Sequence, residues 1–416
     1  MTAVLLPIAS LFLAVGLLLA GIGLFFSALG LRAHLAGFPV SVTGLVMSAF
    51  FLGYVVGTFL CPRIIHRVGH IRAFAAMAAV ASTTAIVHAM VVDPWVWGLL
   101  RAVTGVCLVG LYMVIESWLN TVAPNQHRGR LLAAYVAVNL VAMAGGQLLI
   151  LAGDVETFVP FGLVSILLSL ALVPIAMTPV TQPQAVEAPS LGLRRLHAVS
   201  PIGVYGAVAS GLVNSAFYGM GAVFGQRVGL SEGEIAAFMS ATILGGAAMQ
   251  WPIGHFSDRH DRRHVLLTVC LGGAALAGLG LATVSFWPAW LSGVGFLFGG
   301  LAFSVYGLSI AHVNDHLKPA EVLEATSGLL LLHGAGAAIG PTAAGMLMAS
   351  LGPGSLMVYF AVALLALAAL TIYRSRVRPE GPPTERSDFV SAAHSSPVVL
   401  ELDPRADGAA ASRPTA

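Results

Sequence analysis

Two ionisable side chains, Arg101 and Glu116, lie within one long apolar stretch of the sequence. An arginine at the centre of a bilayer costs about 2.5 to 3.5 kcal/mol on insertion scales, so its presence needs an explanation. On an ideal helix the two side chains lie about 60° apart around the axis, and Tyr112 lies one turn before Glu116. A buried carboxyl group can bind and release a proton as its exposure to water changes, so this helix could carry acid–base chemistry.

Both residues also have other interpretations. Arg101 could extend toward the lipid headgroups or bond to a buried carbonyl group. Glu116 could form an ion-pair latch with a loop arginine, the candidates being Arg67, Arg128 and Arg130. It could instead carry protons, or only pack against its neighbours. The latch is our first hypothesis for Glu116.

A second group of ionisable residues is the stretch GHFSDRHDRRH, residues 254–264, which packs five charges into six positions of a chain that is only 9% charged. Such a cluster could be catalytic or could bind nucleic acid. The net charge is only +2, however, and aromatic residues do not alternate with a basic patch. We therefore expect no nucleic-acid partner, and the surrounding sequence must explain these charges.

The surrounding sequence is that of a membrane protein, with 57% hydrophobic residues and a mean hydropathy of +0.89. Apolar runs of about 20 residues recur, and each can cross a roughly 30 Å hydrocarbon core as a helix. We predict an all-α integral membrane protein with twelve transmembrane helices in two six-helix halves. The predicted spans are residues 5–30, 41–62, 73–92, 95–119, 131–152, 157–177, 201–223, 234–255, 265–285, 288–311, 325–350 and 355–373.

The basic residues between these spans are strongly biased to one side. Connections on the side of the N-terminus hold Arg63, Arg67, Arg72, Arg128, Arg130, Arg194, Arg195, Arg259, Arg262, Arg263 and Lys318, whereas the others hold only Arg32 and Arg227. Because this bias sets membrane orientation, both termini are predicted to be cytoplasmic. A bacterial inner membrane is the expected location.

Changes in composition divide the chain into four parts. Residues 1–177 form the first six-helix half, and residues 178–200, rich in Pro, Gln and Ala, form a cytoplasmic linker. Residues 201–373 form the second half, and residues 374–416 form a polar cytoplasmic tail that we expect to be disordered.

The two halves resemble each other weakly in sequence. A shift of 192 residues aligns Arg67 with Arg259, and a shift of 195 residues aligns Ile115 with Ile310 and Pro124 with Pro319. Because these matches fall at equivalent places in two six-span units, they indicate an internal duplication.

The loop after the eighth span resembles the signature G-x-x-x-D-R-x-G-R-R of the major facilitator superfamily of secondary transporters. The matching residues are Gly254, Asp258, Arg259, Arg262 and Arg263, with Asp261 where the last glycine usually lies. In the first half Arg67 and Gly69 match, but Pro62 replaces the glycine and His66 the aspartate. The stretch APNQHRGR at residues 123–130 matches a second motif of the superfamily. ESWLN at 116–120 and AHVNDHL at 311–317 resemble its YcaD-like branch.

This resemblance implies a central cavity lined by the first, fourth, seventh and tenth spans. The implied substrate or proton contacts are Arg101, Tyr112, Glu116, Asn214, Tyr218, Ser304, Tyr306 and His312. His333 in the eleventh span could carry a proton, or could be a neutral histidine bonded to a neighbouring helix. Asn139, Gln147 and Gln250 lie on spans that pack in this family, so we expect them not to contact substrate.

The charged loop has an implied role as a cytoplasmic gate. We expect Asp258 and the loop arginines to pair with Glu321 and Glu324 in the next cytoplasmic connection. The stretch Gly336-x-x-x-Gly340-Pro341 in span eleven resembles a motif that exporters carry in span five, and we expect it to serve close packing. Span five lacks that motif, so the sequence does not indicate export.

The resulting hypothesis is a secondary active transporter that moves a small organic solute by alternating access and is driven by protons, and we expect it to be a monomer. The alternative is a membrane sensor that binds solute without transporting it and signals through the tail. No catalytic constellation or ATP-binding motif is visible, so we predict neither an enzyme nor a cofactor. Cys61, Cys107 and Cys270 have no metal-site spacing, and we expect no metal, although His312 and His316 lie four residues apart.

Overall fold

The computed structural model describes residues 2–123, 127–178, 192–286, 290–377, 389 and 395–402, and this part of the chain is helical without β-strands. Its helices are α1 (Thr2–Leu35), α2 (Val40–Val68), α3 (His70–Met90), α4 (Pro94–Val122), α5 (Arg128–Leu148), α6 (Val159–Leu170), α7 (Leu172–Met177), α8 (Leu193–Val199), α9 (Pro201–Arg227), α10 (Glu232–Arg259), α11 (Arg262–Phe286), α12 (Leu291–Ala302), α13 (Ser304–Asn314), α14 (Pro319–Leu351) and α15 (Ser355–Val377). A 3-10 turn, Leu149–Ala152, extends α5.

These helices confirm the predicted all-α membrane architecture. Helices α6 and α7 together form the sixth span, and α12 and α13 together form the tenth. Among the described residues, eleven helical stretches are long and apolar enough to cross a membrane. The remaining predicted span is α10, which is more polar because it carries Glu232, Glu234 and Gln250, yet it packs against α5 and α12 within the bundle.

Local sequence signals explain where two of the long helices begin. The carboxylate of Asp93 accepts hydrogen bonds from the backbone N–H groups of Trp95 and Val96, at 2.9 and 3.0 Å, and Pro94 occupies the first position of α4. Ser231 and Glu234 form a capping box at the start of α10. Because these groups satisfy N–H donors that helix geometry leaves free, α4 and α10 begin one and two residues before the predicted spans.

Glycines bring matching helices into close contact in both halves. A Cβ atom at Gly53 of α2 would lie 2.0 Å from the carbonyl oxygen of Ala102, and one at Gly105 of α4 would lie 2.0 Å from that of Phe50. In the second half the corresponding pair is Gly245 of α10 and Gly299 of α12, with distances of 1.8 and 1.9 Å to the carbonyl oxygens of Phe296 and Thr242. Only glycine fits at such contacts. The pairs are offset by 192 and 194 positions, which supports the duplication.

The glycine stretch of span eleven serves the packing that we expected. Cβ atoms at Gly336 and Gly340 would lie 2.3 and 2.5 Å from carbonyl oxygens of Val208 and Leu212 on α9. Helices α9 and α14 therefore touch along their backbones.

Helices from the first and second parts of the bundle meet near one end. We call this end, which carries the α1–α2 and α9–α10 connections, the far face. There Thr342 of α14 donates a hydrogen bond of 2.8 Å to the hydroxyl of Ser48 on α2, and Gly44 lies against the backbone of Pro341. Ser240 of α10 donates a bond of 2.7 Å to the carbonyl oxygen of Ala144 on α5. The bundle is closed at the far face by these two crossings.

The opposite end, which we call the tail face, holds the α2–α3 and α10–α11 connections. Residues 395–402, including a 3-10 turn (Pro397–Leu402), contact α4, α5 and α14 there. For this segment and Phe389 the structure shows packed chain instead of the expected disorder. Pro124 and most of the predicted linker, residues 179–191, lie outside the described residues, as does the rest of the tail, so the four-part division stays a prediction.

Candidate functional site

A cavity of about 200 Å³ lies in the middle of the bundle. Its wall is dominated by aromatic rings from both parts of the bundle, namely Phe26, Phe50, Phe51, Tyr54, Tyr112, Tyr218 and Phe303. The rings of Phe303 and Tyr218 are stacked with centroids 5.7 Å apart, and Phe26 lies 6.0 Å from Tyr218. The aromatic band is therefore continuous across the cavity, and it offers flat apolar surface to an occupant.

Polar groups interrupt this aromatic wall at a few points. They come from Thr58, Asn139, Asn214, Ser215, Gln250, His333 and Ser395, and among the described residues the wall contains no Asp, Glu, Lys or Arg side chain. The side-chain oxygens of Asn139 and Asn214 are buried and have no hydrogen-bond partner within the described residues. A buried amide oxygen without a partner is unfavourable, so these two acceptors are suited to hydrogen-bond donors of a bound molecule or water.

His333 contributes an imidazole ring to this wall. Its Nδ1 atom lies 2.9 Å from the hydroxyl of Ser210 on α9, and its ring centroid lies 4.8 Å from that of Tyr306. The histidine is thus fixed between α9 and α13 while one side of it faces the cavity. This arrangement is compatible with both hypotheses for His333.

The structure brings together only some of the predicted pathway residues. Tyr112, Asn214, Tyr218 and His333 line the cavity, whereas Arg101, Glu116, Ser304, Tyr306 and His312 do not. Asn139 and Gln250, which we expected to pack away from substrate, lie on the wall. Each of these two residues lies on the face of its helix that borders the cavity, where α5 and α10 pack against each other. Gln147, as expected, is not on the wall; it accepts a hydrogen bond from Ser27.

Arg101 is fully buried behind the aromatic wall and has no acidic partner in the described part of the chain. Its Cζ atom lies 4.4 Å from the ring centroid of Phe50, 4.5 Å from Phe26 and 5.3 Å from Phe25. None of its side-chain nitrogens has a hydrogen-bond partner within the described residues. Cation–π attraction to three rings takes the place of an ion pair, and two of these rings also line the cavity.

Glu116 on α4 is fully buried where α4 packs against α5 and against residues 395–402 of the tail. The hydroxyl of Tyr135 donates a hydrogen bond of 2.8 Å to its Oε1 atom, and the hydroxyl of Ser396 donates to its Oε2 atom. Glu116 forms no ion pair with any described residue; Arg67 and Arg130 are exposed, and Arg128 is only partly buried. The latch with a loop arginine is therefore not formed in this structure, because the carboxyl group points into the bundle.

The charged loop forms a compact network at the tail face. The guanidinium of Arg262 contacts Asp315 Oδ2 at 2.7 Å through Nε, Ser257 Oγ at 3.0 Å through Nη1 and Asp258 Oδ1 at 3.2 Å through Nη2. The carboxylate of Asp258 also accepts a bond of 2.8 Å from the backbone N–H of Phe389, whose ring packs against Gly254. This network joins α10 and α11 to the end of α13 and to the tail.

The expected partners of the loop differ from those observed. Glu321 forms an ion pair with Arg195, and Glu324 has no ion pair among the residues described. The partner that the sequence interpretation missed is Asp315, which directly follows α13 and so faces Arg262 at the start of α11. Arg259 is exposed, and the backbone N–H of Arg263 bonds to Asp261 at 2.9 Å, at the start of α11.

The first half has neutral residues at the positions of this ion pair. A shift of 192 places His70 at the position of Arg262, and a shift of 195 places Asn120 at that of Asp315. His70 is buried, with its ring 6.2 Å from that of Trp118, and Asn120 donates a hydrogen bond of 3.0 Å to the carbonyl oxygen of Val398. The first half therefore departs from the signature in its contacts as well as at Pro62 and His66. Asn120 bonds to the tail, whereas Asp315 at the equivalent position bonds to Arg262 within the second half.

A metal site is not apparent in the described ranges. They contain no group of three or more His, Cys, Asp and Glu side chains that could hold an ion. Cys61, Cys107 and Cys270 are buried and unbridged. His316 places its Nδ1 atom 2.7 Å from the carbonyl oxygen of His312, so this pair is engaged within its own helix turn.

Comparison with known proteins agrees with this architecture. Residues 11–307 and 203–409 match the model of the Major Facilitator Superfamily. An uncharacterised MFS-type transporter of Enterobacter sp. strain 638 is 30% identical over 322 residues, which are 74% of this chain and 80% of that protein. The uncharacterised MFS-type transporter YcaD of Escherichia coli O17:K52:H18 strain UMN026 is 29% identical over 311 residues, 73% of this chain and 79% of the relative. The crystal structure of a mutant of the nucleoside transporter NupG has a TM-score of 0.76 at 13% identity, covering 88% of this chain and 99% of that one.

Proposed function

The chain belongs to the major facilitator superfamily of membrane transport proteins, and on that premise we propose that it is a secondary active transporter of a small, electrically neutral organic solute. The observation that carries the proposal is the composition of the central cavity wall, which combines a continuous aromatic band with neutral amides and, among the described residues, no Asp, Glu, Lys or Arg side chain. A charged solute would lose its hydration there without gaining a counterion, at high cost. A neutral solute with one flat apolar face would not pay this cost, because it has no charge to desolvate.

The cavity also limits the size of the solute and its polar groups. Its volume of about 200 Å³ is below the roughly 300 to 1,000 Å³ of sites for drug-sized ligands. The unpaired oxygens of Asn139 and Asn214 call for donors on the solute, such as hydroxyl or amine N–H groups. We therefore infer a compact solute with a ring or apolar face and at least two hydrogen-bond donors.

Alternating access is supported by the unequal ends of the bundle. Helices cross at the far face through Ser48 with Thr342 and through Ala144 with Ser240. We propose that the far face is extracytoplasmic and that both termini are cytoplasmic in a bacterial inner membrane, in agreement with the positions of the loop arginines. The protein would then be closed to the outside, and the tail face would be its cytoplasmic mouth. We propose that the monomer is the transporting unit.

Proton coupling through Glu116 is the second part of the proposal. A buried carboxyl group with no cation beside it is costly when ionised, whereas water entering the mouth would stabilise its charge. Glu116 lies one turn beyond Tyr112, which lines the cavity, so water and solute can reach both groups through the same opening. We propose that Glu116 exchanges a proton in step with solute passage.

Purified protein in liposomes tests both parts. Neutral ring-bearing solutes would be screened for uptake, with charged analogues of equal size as matched controls. We expect uptake of a neutral member that rises when a proton gradient is imposed. If only charged analogues are transported, the assignment of solute class is wrong. If an identified solute moves equally fast with and without the gradient, and the Glu116→Gln protein behaves as wild type, coupling through Glu116 is wrong.

The insertion of the tail into the bundle also favours a second candidate, a solute sensor that signals through its tail. Removal of all residues after Tyr373 separates the two functions. A transporter keeps or increases its solute flux, since the cavity is built from the helices. A sensor has no flux with or without the tail.

A further inference from the structure

The described part of the tail is bound to both sides of the mouth of the cavity. Residues 395–399 are buried, and Ser396 is fully inaccessible. Residues 395–402 contact α4 and α5 on one side and α14 on the other. Ser395 and Pro397 form part of the cavity wall itself. The segment thus occupies the place through which a solute would pass between the cavity and the tail face.

Specific polar contacts hold this segment to the first part of the bundle. The hydroxyl of Ser396 donates to Glu116, and the hydroxyl of Tyr54 donates to the carbonyl oxygen of Ser395. The amide of Asn120 donates to the carbonyl oxygen of Val398 over 3.0 Å. Two of these three contacts use backbone carbonyls of the segment, so they recognise its main chain and depend little on its side chains.

A separate contact fixes the tail to the second part of the bundle. The backbone N–H of Phe389 bonds to Asp258 at 2.8 Å. Its ring lies in a depression made by two glycines, where Cβ atoms at Gly254 and Gly307 would lie within 2.1 and 2.9 Å of ring atoms. Larger residues at these positions would exclude the ring. Because Gly254 on α10 and Gly307 on α13 have no side chains, the ring of Phe389 can bind between the two helices.

We propose that the mouth of the cavity at the tail face is a binding site for the chain's own C-terminal segment, which blocks entry to the cavity until it is released. The occupant is the same chain, since Phe389 and residues 395–402 are bound to α4 and α10 from positions only 12 and 18 residues beyond the end of α15 at Val377. Val398 is bound to Asn120 of α4 and Phe389 to Asp258 of α10, so the tail contacts both parts of the bundle at the mouth. This occlusion stands independently of the nature of the solute and of proton coupling.

The occlusion can be measured without a substrate. A cysteine at Asn139, on the cavity wall, would be reacted with a membrane-impermeant maleimide in the full chain, in inside-out membrane vesicles. The double variant Val398→Asp/Val399→Asp places two charges in the buried part of the segment and should release it. Since reaction with a transiently open state follows the population of that state, we expect labelling to become at least about tenfold faster.

The matched control is Val377→Asp, because Val377 is 58% exposed and precedes the segment. Its labelling rate should equal that of the protein without tail substitutions. Equal labelling rates in the double variant and this control would overturn the proposal. Unchanged elution on size exclusion shows that the variants remain folded, and the three native cysteines, which are buried, give the background.

A cross-link in the full chain tests which copy supplies the segment. Cysteines at Asn120 and Val398, whose side chain and backbone are in contact, should form a disulfide within one chain under mild oxidation. A cross-linked dimer would show that a second copy provides the occupant, and this result would overturn the proposal. Ser396→Asp should release the segment through repulsion from Glu116, whereas Ser396→Ala should release it less.

Discussion

The hydroxyl of Tyr135 on α5 donates a hydrogen bond of 2.8 Å to Glu116 on α4, and both side chains are fully buried. The bond joins two helices of the first half directly beside the mouth that the tail occupies. It gives the carboxyl group a fixed position and a partner that is neutral, so the charge of Glu116 depends on access of water. The hypotheses of proton coupling and of tail binding therefore meet at one residue.

Glu116→Gln separates coupling from binding. The amide keeps the shape of the side chain but cannot release a proton, so we expect solute accumulation driven by a pH gradient to be lost while solute exchange between equal pools remains. The measurement is uptake into liposomes with and without the gradient. Glu324→Gln is the matched control, since that glutamate is only partly buried. Accumulation at the wild-type level by Glu116→Gln would contradict the prediction.

Tyr135→Phe removes the hydrogen bond but leaves the carboxyl group. We expect a loss of about 1 kcal/mol of stability, because a single hydrogen bond contributes about that much. Gradient-driven uptake should persist. Thermal unfolding in detergent and the liposome assay measure the two effects, and loss of coupling in this variant would show that the tyrosine itself takes part in proton exchange.

Asp315→Asn should destabilise the second half. The side chains of Arg262 and Asp315 are only 2% and 5% exposed, so the substitution leaves a buried guanidinium with a weaker partner. Breaking a buried pair by removing one partner costs about 3 to 5 kcal/mol, and the remaining contact of Arg262 with Asp258 should keep the loss near the lower value. Arg259→Gln, which alters an exposed charge in the same loop, should leave the unfolding temperature unchanged. Equal unfolding temperatures for both variants would refute a structural role of the pair.

Phe50→Leu tests the ring cage around Arg101. Loss of one of three rings removes a cation–π contact worth about 0.5 to 2 kcal/mol, in addition to the lost packing of the ring. The control is Phe59→Leu on the same helix, since that ring is 57% exposed. Thermal unfolding should separate the two variants. If both unfold at the wild-type temperature, the cage does not stabilise the buried guanidinium.

Gly53→Ala should disrupt the contact of α2 with α4. The added methyl group would meet the backbone of Ala102, and forcing atoms into a packed interface costs about 1 to 3 kcal/mol. At Gly98 of α4 a Cβ atom has no neighbour within 4 Å, so Gly98→Ala should be neutral or stabilising. Yield and unfolding temperature of the purified proteins provide the comparison. A variant at Gly53 as stable as one at Gly98 would argue against the close approach.

Part of the site was within reach of the sequence. The signature at residues 254–263 located the charged loop, the seventh span provided Asn214 and Tyr218, and the fourth span provided Tyr112. Asp315 could have been found as well, because the shift of 195 residues aligns it with Asn120. Each of these residues lies near the end of the second span after the signature loop of its half. The positions of Asn139 and Gln250 on the cavity wall could not be predicted. Their helices are apolar on most faces, so the periodicity of the sequence does not show which face borders the cavity.

The sequence by itself determined the twelve helical spans and the family, because the length of an apolar run and the residues of short loop motifs are local properties that the bilayer and the backbone enforce. The tertiary structure decided which groups meet. The pairing of Glu116 with Tyr135 and Ser396, the cage around Arg101 and the binding of Phe389 between α10 and α13 join residues far apart in the chain. Such contacts depend on how each helix is rotated and tilted against its neighbours, and a helix that is apolar on all sides carries little record of that rotation in its sequence.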